Sequence, residues 1–323
     1  MTQAPTPSAD IVRRALHTLV KGGVQDPAGP EVRPVPESVG RTTWWVGTRH
    51  VLRLATDPEA TTLLRREVRL RDLVRAHIPV AVPASVAQGE WAPGLACTLD
   101  TKVPGGSGDR QDVSAIGEAD LAGLLTGLRE VPARQAEALG VPRATPRSLD
   151  SLRRVAAQAA ERIAAADEFD AARLHQLTPP AAVQLAAQPG GAVLVHHSLT
   201  GDHLVVSAEG RVRGVLGWGL AVLGDPAEDI AGLALAVGSP AAVRAATLAG
   251  YGARPCLRGL WLARCDTVIR LAAHLDGRDT TVPLPLLRTQ LGHAWEAILL
   301  ERVTELRAAD EEDEKDLPGD DEY

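Results

Sequence analysis

The chain concentrates its chemically capable side chains between Val193 and Asp229, in V-L-V-H-H-S-L-T-G-D-H-L-V-V, then V-L-G-W-G, then G-D-P-A-E-D. Within eight residues, His196, His197, Ser198, Asp202 and His203 offer three imidazoles, a hydroxyl and a carboxylate. Imidazoles in such a cluster suit transition metals. Yet His196 and His197 are consecutive at the end of a β-like run, so their side chains point to opposite faces and cannot share one ion. The three cysteines, Cys97, Cys256 and Cys265, have no metal-ligand spacing and read as buried, reduced thiols.

Such residues need elements to hold them, and hydrophobic periodicity indicates which. Asp10 can cap a short helix over Ile11 to Leu19, whose Ile11, Val12, Ala15, Leu16 and Leu19 share a face. Val32 to Leu54 reads as short strands, E-V-R-P-V-P, T-T-W-W-V-G and H-V-L-R-L-A, separated by turn signals. Thr61 to His77 predicts a helix, with Leu63, Leu64, Val68, Leu70, Leu73 and Val74 on a broad apolar face and Pro79 and Pro83 at its exit. Pro79 to Pro83 and Leu95 to Leu99 read as further strands, and Pro104-Gly105-Gly106-Ser107-Gly108 as a hinge. Beyond it, helices are predicted over 115–128 and 149–164, β-like segments over 193–206 and 212–215, and helix again from Asp229. The pattern closes on an amphipathic helix over 286–306. The fold class is therefore α+β.

A chain of 323 residues is long enough for one large domain or two lobes. Its apolar content of 45% and charged content of 23% are ordinary for a soluble globular protein. Of the formal charge of −7, the segment from Asp310 to Tyr323 carries −8, which leaves +1 for the body. A near-neutral body argues against a nucleic-acid surface. The acidic tail is too polar to pack and is expected to be disordered and to serve solubility. The first residues, M-T-Q-A-P-T-P-S-A-D, lack the basic and apolar regions of a secretion signal, and no run approaches a membrane span. A cytoplasmic protein is expected.

Four segments, in order, resemble the aminoglycoside/macrolide phosphotransferase family, two-lobed relatives of the protein kinases. V-L-R-L-A at Val51 to Ala55 is similar to the strand bearing that family's phosphate-contacting base, here Arg53. R-R-E-V-R-L at Arg65 to Leu70 is similar to the helix bearing its ion-pair partner, here Glu67. I-P-V-A-V-P at Ile78 to Pro83 resembles the connection after that helix, and Val193 to Asp229 resembles the catalytic region. The resemblance runs from about Val32 to Ala236 and leans toward the macrolide branch. It implies a protein-kinase-like fold: a small β-sheet lobe with one helix (residues 1–103), a larger helical lobe with the catalytic loop (104–309), and the acidic tail (310–323).

In that family a strand leads into H-G-D-L-x-x-x-[NH], and a hairpin delivers D-W before G-D-P-x-x-D. His196, Leu199, His203, Trp218, Gly224, Asp225, Pro226 and Asp229 match this frame. Ser198 stands at the catalytic-base position and Gly217 at that of a metal-binding aspartate. Phosphoryl transfer needs the nucleotide phosphates held, divalent metal to neutralise charge, and a carboxylate to take the hydroxyl proton. Arg53 keeps the phosphate-binding charge, as in macrolide-branch relatives, while Lys21 and Lys102 are misplaced for that role. Gly40 alone does not make a glycine-rich phosphate cradle. Ser198 cannot replace a carboxylate base, whose help is worth about 10²–10⁴ in rate. Gly217 offers Mg²⁺ no ligand, although a hard cation demands oxygen donors. His203 fills the other metal position with an imidazole, as members of the macrolide branch do, which suits transition metals better than Mg²⁺; with Gly217 beside it both ligand positions are degenerate and Mg²⁺ is not expected. Asp202 is the one nearby carboxylate that can substitute. The resemblance gives His196 a structural hydrogen bond, has Asp225 cap a helix and has Asp229 brace the loop.

The resemblance and these replacements together predict a pseudokinase that keeps a nucleotide site for ATP or GTP, or a small-molecule site, in an interlobe cleft. The alternative is an active phosphotransferase acting on a hydroxyl of a macrolide- or aminoglycoside-like molecule. A third reading is an interaction module with an empty cleft. Residues 241–275 carry Arg244, Arg254, Arg258, Arg264 and Arg270 against Asp266 alone, which suits a neutral or apolar ligand better than a polycation.

Overall fold

The computed structural model describes residues 7–20, 30–36, 42–188 and 190–298. The chain divides into two compact units, Met1–Thr145 with Gly190–Asp225, and Pro146–Pro189 with Pro226–Tyr323. Lys21, Gly40 and the acidic tail lie outside the described residues.

In the first unit, α1 (Ala9–Leu19) is capped by Ser8, whose hydroxyl accepts from the Ile11 N–H. Asp10, the expected cap, instead sits in the first turn and pairs with Arg13. Then come β1 (Val32–Pro34), β2 (Thr43–Val46), β3 (His50–Leu54), α2 (Pro58–Val74), β4 (Ser85–Ala92) and β5 (Leu95–Thr101). The strands form one antiparallel sheet in the order β1-β2-β3-β5-β4. Strand periodicity sorts its side chains. Trp44, Val46, Leu52, Leu54, Cys97 and Leu99 join Val12 and Leu16 of α1 in one core. The intervening Arg53, Thr98 and Asp100 consequently face the other side, where α2 packs against β5. Asp57 starts α2 by accepting from the Ala60 N–H at 2.7 Å, with Pro58 in the first turn.

Pro79 to Pro83 is not a strand, because prolines at both ends remove the ladder donors. Only Ala81 bridges, donating to Arg213 O and accepting from Val215 N, both at 2.9 Å. The expected hinge contains a two-residue strand, β6 (Gly106–Ser107), followed by α3 (Ala115–Glu130) and α4 (Ala133–Ala138). The segment 193–215 resolves into β7 (Val193–Val195), β8 (Leu204–Val206) and β9 (Val212–Val215), and β10 (Val222–Gly224) follows. β10 pairs with β7, and β6-β8-β9 form a second small sheet. The hinge is thus tied to the loop before β8: Gly108 N–H donates to Leu204 O at 2.9 Å, and Ser107 Oγ to Gly201 O.

The second unit is helical: α5 (Leu149–Ala165), α6 (Pro179–Gln184), α7 (Ala227–Val237), α8 (Ser239–Leu248), α9 (Ala253–Leu275) and α10 (Leu284–Ala294). α5, α7 and α10 pack on α9, which buries Leu260, Trp261, Leu262, Val268 and Leu271. Arg147 binds Glu228 and Asp266 at 2.7–3.0 Å. Three of the α9 arginines, Arg254, Arg258 and Arg264, bond to backbone carbonyls of the scaffold: Arg258 donates to Leu185 O and Arg147 O, and Arg254 to Gln184 O. Arg264 donates to Ala294 O and stacks on Trp295, whose ring Arg173 also approaches at 4.7 Å. These contacts mark where α10 stops. The helix expected over 286–306 ends at Ala294, and its residues beyond 298 lie outside the described residues.

Cys97, Cys256 and Cys265 are unpaired and at most 1% exposed. Burial pushes the Cys97 thiol up to about 11 and the Cys265 thiol up to about 12, and raises Cys256 as well. Among the described residues, no helix is long and apolar enough to cross a membrane.

Candidate active site

The pairing of β7 with β10 sets Val195 opposite Val222, so the loop leaving β7 runs beside the turn that precedes β10. His196 joins the two. It is wholly buried, its Nε2 lies 2.8 Å from Leu216 O, and its ring meets Trp218 edge-on at 4.7 Å. Trp218 Nε1 donates in turn to Val215 O at 3.1 Å. Burial, then the neighbouring His203, lowers the His196 pKa to about 4, so the ring is neutral. His197 adopts φ +66, the left-handed region that glycine enters freely and where the resembling pattern has glycine.

Ser198, His203 and Gly217 come together. His203 Nδ1 lies 2.6 Å from Ser198 O and 3.2 Å from Ser198 Oγ. A carbonyl only accepts, so Nδ1 carries the proton and donates to it. Gly217 has φ +77, and a Cβ built there would lie 2.9 Å from His203 Cε1 and closer still to Nε2 and Cδ2. The imidazole therefore fills the volume that a side chain at 217 would enter. Asp202 stands at the rim with its side chain 64% exposed; it accepts from Thr200 Oγ1 at 2.6 Å, and its Oδ2 is 4.0 Å from His203 Nε2.

Arg53 and Glu67 form a two-pronged pair across β3 and α2. Burial opposes charge on Glu67, but the Arg53 charge and hydrogen bonds outweigh it and hold the carboxyl below its usual range. Arg66 donates to Gly219 O at 2.6 Å, fastening α2 to the turn that carries Gly217. Asp225 directly precedes Pro226, which stands at the cap position of α7, and the helix begins at Ala227.

Two features escaped the sequence reading. Arg71, one turn after Glu67, forms a buried ion pair with Asp100 at 2.9 Å, and Thr98 Oγ1 donates to the same carboxylate. Polar residues at alternate positions of L-A-C-T-L-D, an otherwise apolar strand, were the available signal. Asp109, after β6, packs against Gly201. Desolvation there, then the Asp202 charge, raises its carboxyl above the usual range. Nothing local in the sequence links position 109 with 201.

Divalent metal does not fit positions 198, 203 and 217. They offer a hydroxyl, an imidazole and no side chain, and Nδ1 of that imidazole is taken up by Ser198 O. Among the described residues, no group of three or more His, Cys, Asp or Glu side chains is arranged to hold a metal ion.

The chain is similar in fold to antibiotic phosphotransferases. One is wild-type aminoglycoside 2'-phosphotransferase-IIIa in its GDP complex (TM-score 0.62, 19% identity, 86% of this chain and 98% of that one). Another is macrolide 2'-phosphotransferase MphH from Brachybacterium faecium, as apoenzyme (TM-score 0.56, 20% identity, 90% and 99%). A third is the GDP and kanamycin complex of APH(2")-IIIa (TM-score 0.61, 19% identity, 91% and 98%). No curated protein sequence matches. Residues 31–260, which include the Arg53–Glu67 pair and the whole loop from His196 to Asp229, match the model of the phosphotransferase enzyme family, and the chain belongs to that family.

Proposed function

We propose that this protein is a pseudokinase: it keeps a nucleotide or small-molecule site beside Arg53 and Glu67 but has lost efficient phosphoryl transfer. The observation that carries this reading is the packing of His203 over Gly217, with Ser198 at the base position. No carboxylate remains at positions 198, 203 or 217, so nothing there takes the proton of an acceptor hydroxyl as a carboxylate base does. Arg53, held in place by Glu67, supplies the positive charge for a phosphate, and Ser198 contributes only a hydrogen bond. The GDP and kanamycin complexes of the similar proteins support a nucleotide, ATP or GTP, as the ligand class. Residues 1–103 would supply the nucleotide contacts and the segment from 104 onward the degenerate loop. The near-neutral body favours a small molecule over nucleic acid, and we place the protein in the cytoplasm.

The test is a thermal-shift titration with ATP and GTP, each with Mg²⁺ and with EDTA, paired with an assay of γ-phosphoryl transfer. Ligand at about a hundred times its Kd adds roughly 2.7 kcal/mol of stability. A shift that persists in EDTA without turnover supports the proposal. Mg²⁺-dependent turnover on a macrolide or aminoglycoside would establish the active enzyme, with Asp202 as substitute base. No shift with either nucleotide would leave an interaction module.

A further inference from the structure

The start of β3 gathers positive charge that no acid neutralises. His50 pairs with Thr101 across the ladder, and Lys102 N–H donates to Arg49 O at 2.8 Å, which extends the pairing by one rung. Arg49 and Lys102 therefore stand opposite each other, and like charges at facing positions repel. Together with His50, Thr48, Thr101 and Pro104 they line a cavity of about 630 Å³ that lies wholly within the first unit. Among the described residues, Arg49 and His50 make no side-chain hydrogen bond or ion pair. The Lys102 ammonium meets only the Trp45 ring, 4.3 Å from its centroid. Exposed arginines elsewhere in this unit do find acids: Arg13 pairs with Asp10, Arg65 with Glu90 and Arg143 with Glu137. The exception at Arg49 and Lys102 leaves a concave basic surface that focuses field on an incoming anion.

The donor set selects the anion. A phosphoryl dianion carries several oxygens and can accept from a guanidinium fork, an ammonium and hydroxyls at once. Thr101 Oγ1 accepts from the Ala84 N–H at 2.9 Å, which leaves its own proton for such an oxygen. The cavity falls within the span of small-molecule sites, about 300–1,000 Å³, and is larger than a lone phosphate requires.

We propose that this cavity binds the phosphoryl group of a small organic phosphate, at a site separate from Arg53. The His50–Thr101 rung stands three residues from the Arg53–Thr98 rung, about 10 Å along β3, so one phosphate cannot bridge both. Arg53 is moreover already forked to Glu67. The proposal does not rest on the nucleotide reading above, and either can fail without the other.

The experiment is isothermal titration calorimetry at fixed ionic strength with ribose 5-phosphate, inorganic phosphate and ribose. It compares the native chain with Arg49→Gln, Lys102→Gln and the double variant. Both side chains are exposed, so the variants are expected to keep the native thermal midpoint, which checks that they fold. The native chain is expected to take up one ribose 5-phosphate and no ribose. Each single variant should weaken that binding by about tenfold or more, the worth of one hydrogen bond to a charged group. Inorganic phosphate should bind more weakly, because it leaves the rest of the cavity unfilled. Undiminished binding by the double variant, or none by the native chain at millimolar ligand, would overturn the site. Equal affinity for inorganic phosphate would overturn the organic ligand and leave free phosphate in its place.

Discussion

Arg53 and Glu67 meet as a parallel fork, Nη1 on Oε1 at 2.5 Å and Nη2 on Oε2 at 2.8 Å. The carboxylate is sealed, whereas 32% of the arginine side chain is exposed. This asymmetry matters for recognition. The acid orients the guanidinium, whose exposed side is where the proposed function places an anion. Lysine would retain the charge but not the fork.

Glu67→Gln should destabilise the chain by about 1.5–3 kcal/mol at neutral pH, the usual worth of a hydrogen bond to a charged group. The folded carboxyl is held below its ordinary value of 4.5, so its contribution is complete above that value and is lost as pH falls through the folded pKa. The deficit of the variant should therefore shrink in acid. Urea denaturation at pH 7 and pH 3 would measure it, and an equal deficit at both would contradict the assignment.

His196 predicts a second pH dependence at higher pH. Its folded pKa of about 4 lies below the ordinary 6.5, so the unfolded chain takes the proton first. Stability should decline by about 3 kcal/mol as pH falls from 6.5 to 4, and level off below. His196→Gln keeps a donor for Leu216 O and should flatten that window, as read from denaturation midpoints across it.

The Arg71–Asp100 pair leaves Arg71 Nε and Nη2 and Asp100 Oδ1 buried without hydrogen-bond partners. Such a pair contributes little net stability but is expensive to break. Arg71→Met or Asp100→Leu alone should cost about 3–5 kcal/mol. The double variant should return to within about 1 kcal/mol of native or exceed it. Additive losses in a double-mutant cycle would show the pair to be stabilising in its own right.

Placing aspartates at 198 and 217 should restore measurable nucleotide hydrolysis or transfer, with the His203 ring shifting to make room for the side chain at 217. The triple variant Ser198→Asp, His203→Asn and Gly217→Asp should release measurable ADP or GDP with Mg²⁺. Aspartate is among the side chains that tolerate the left-handed backbone at 217. A folded triple variant without turnover would place the loss elsewhere in the site as well.

The sequence made the fold legible where pattern and punctuation agreed. The sheet from Val32 to Leu54 with Arg53 on β3, the helix carrying Glu67 and the His196 loop all stand where periodicity and motif order put them. Pro79 to Pro83 failed as a strand because its apolar run resembled β structure while its prolines forbade the ladder. β4 was missed because S-V-A-Q-G-E-W-A alternates only weakly and its packing comes from α1. At the site, sequence showed which ligands were missing. It did not show that His203 fills the space above Gly217, because a volume shared by residues fourteen apart is set by loop geometry. The Arg71–Asp100 pair was invisible for a related reason: each partner looked ordinary on its own element.

The three buried cysteines have a practical corollary. Thiols this inaccessible, and this reluctant to ionise, are poor nucleophiles toward maleimide or iodoacetamide. The native chain is thus a silent background for site-directed labelling. A cysteine introduced at Leu220, which is 59% exposed just after Trp218, would carry a fluorophore beside the Gly217 turn. The response of that turn to added ATP or GTP could then be followed in real time by fluorescence.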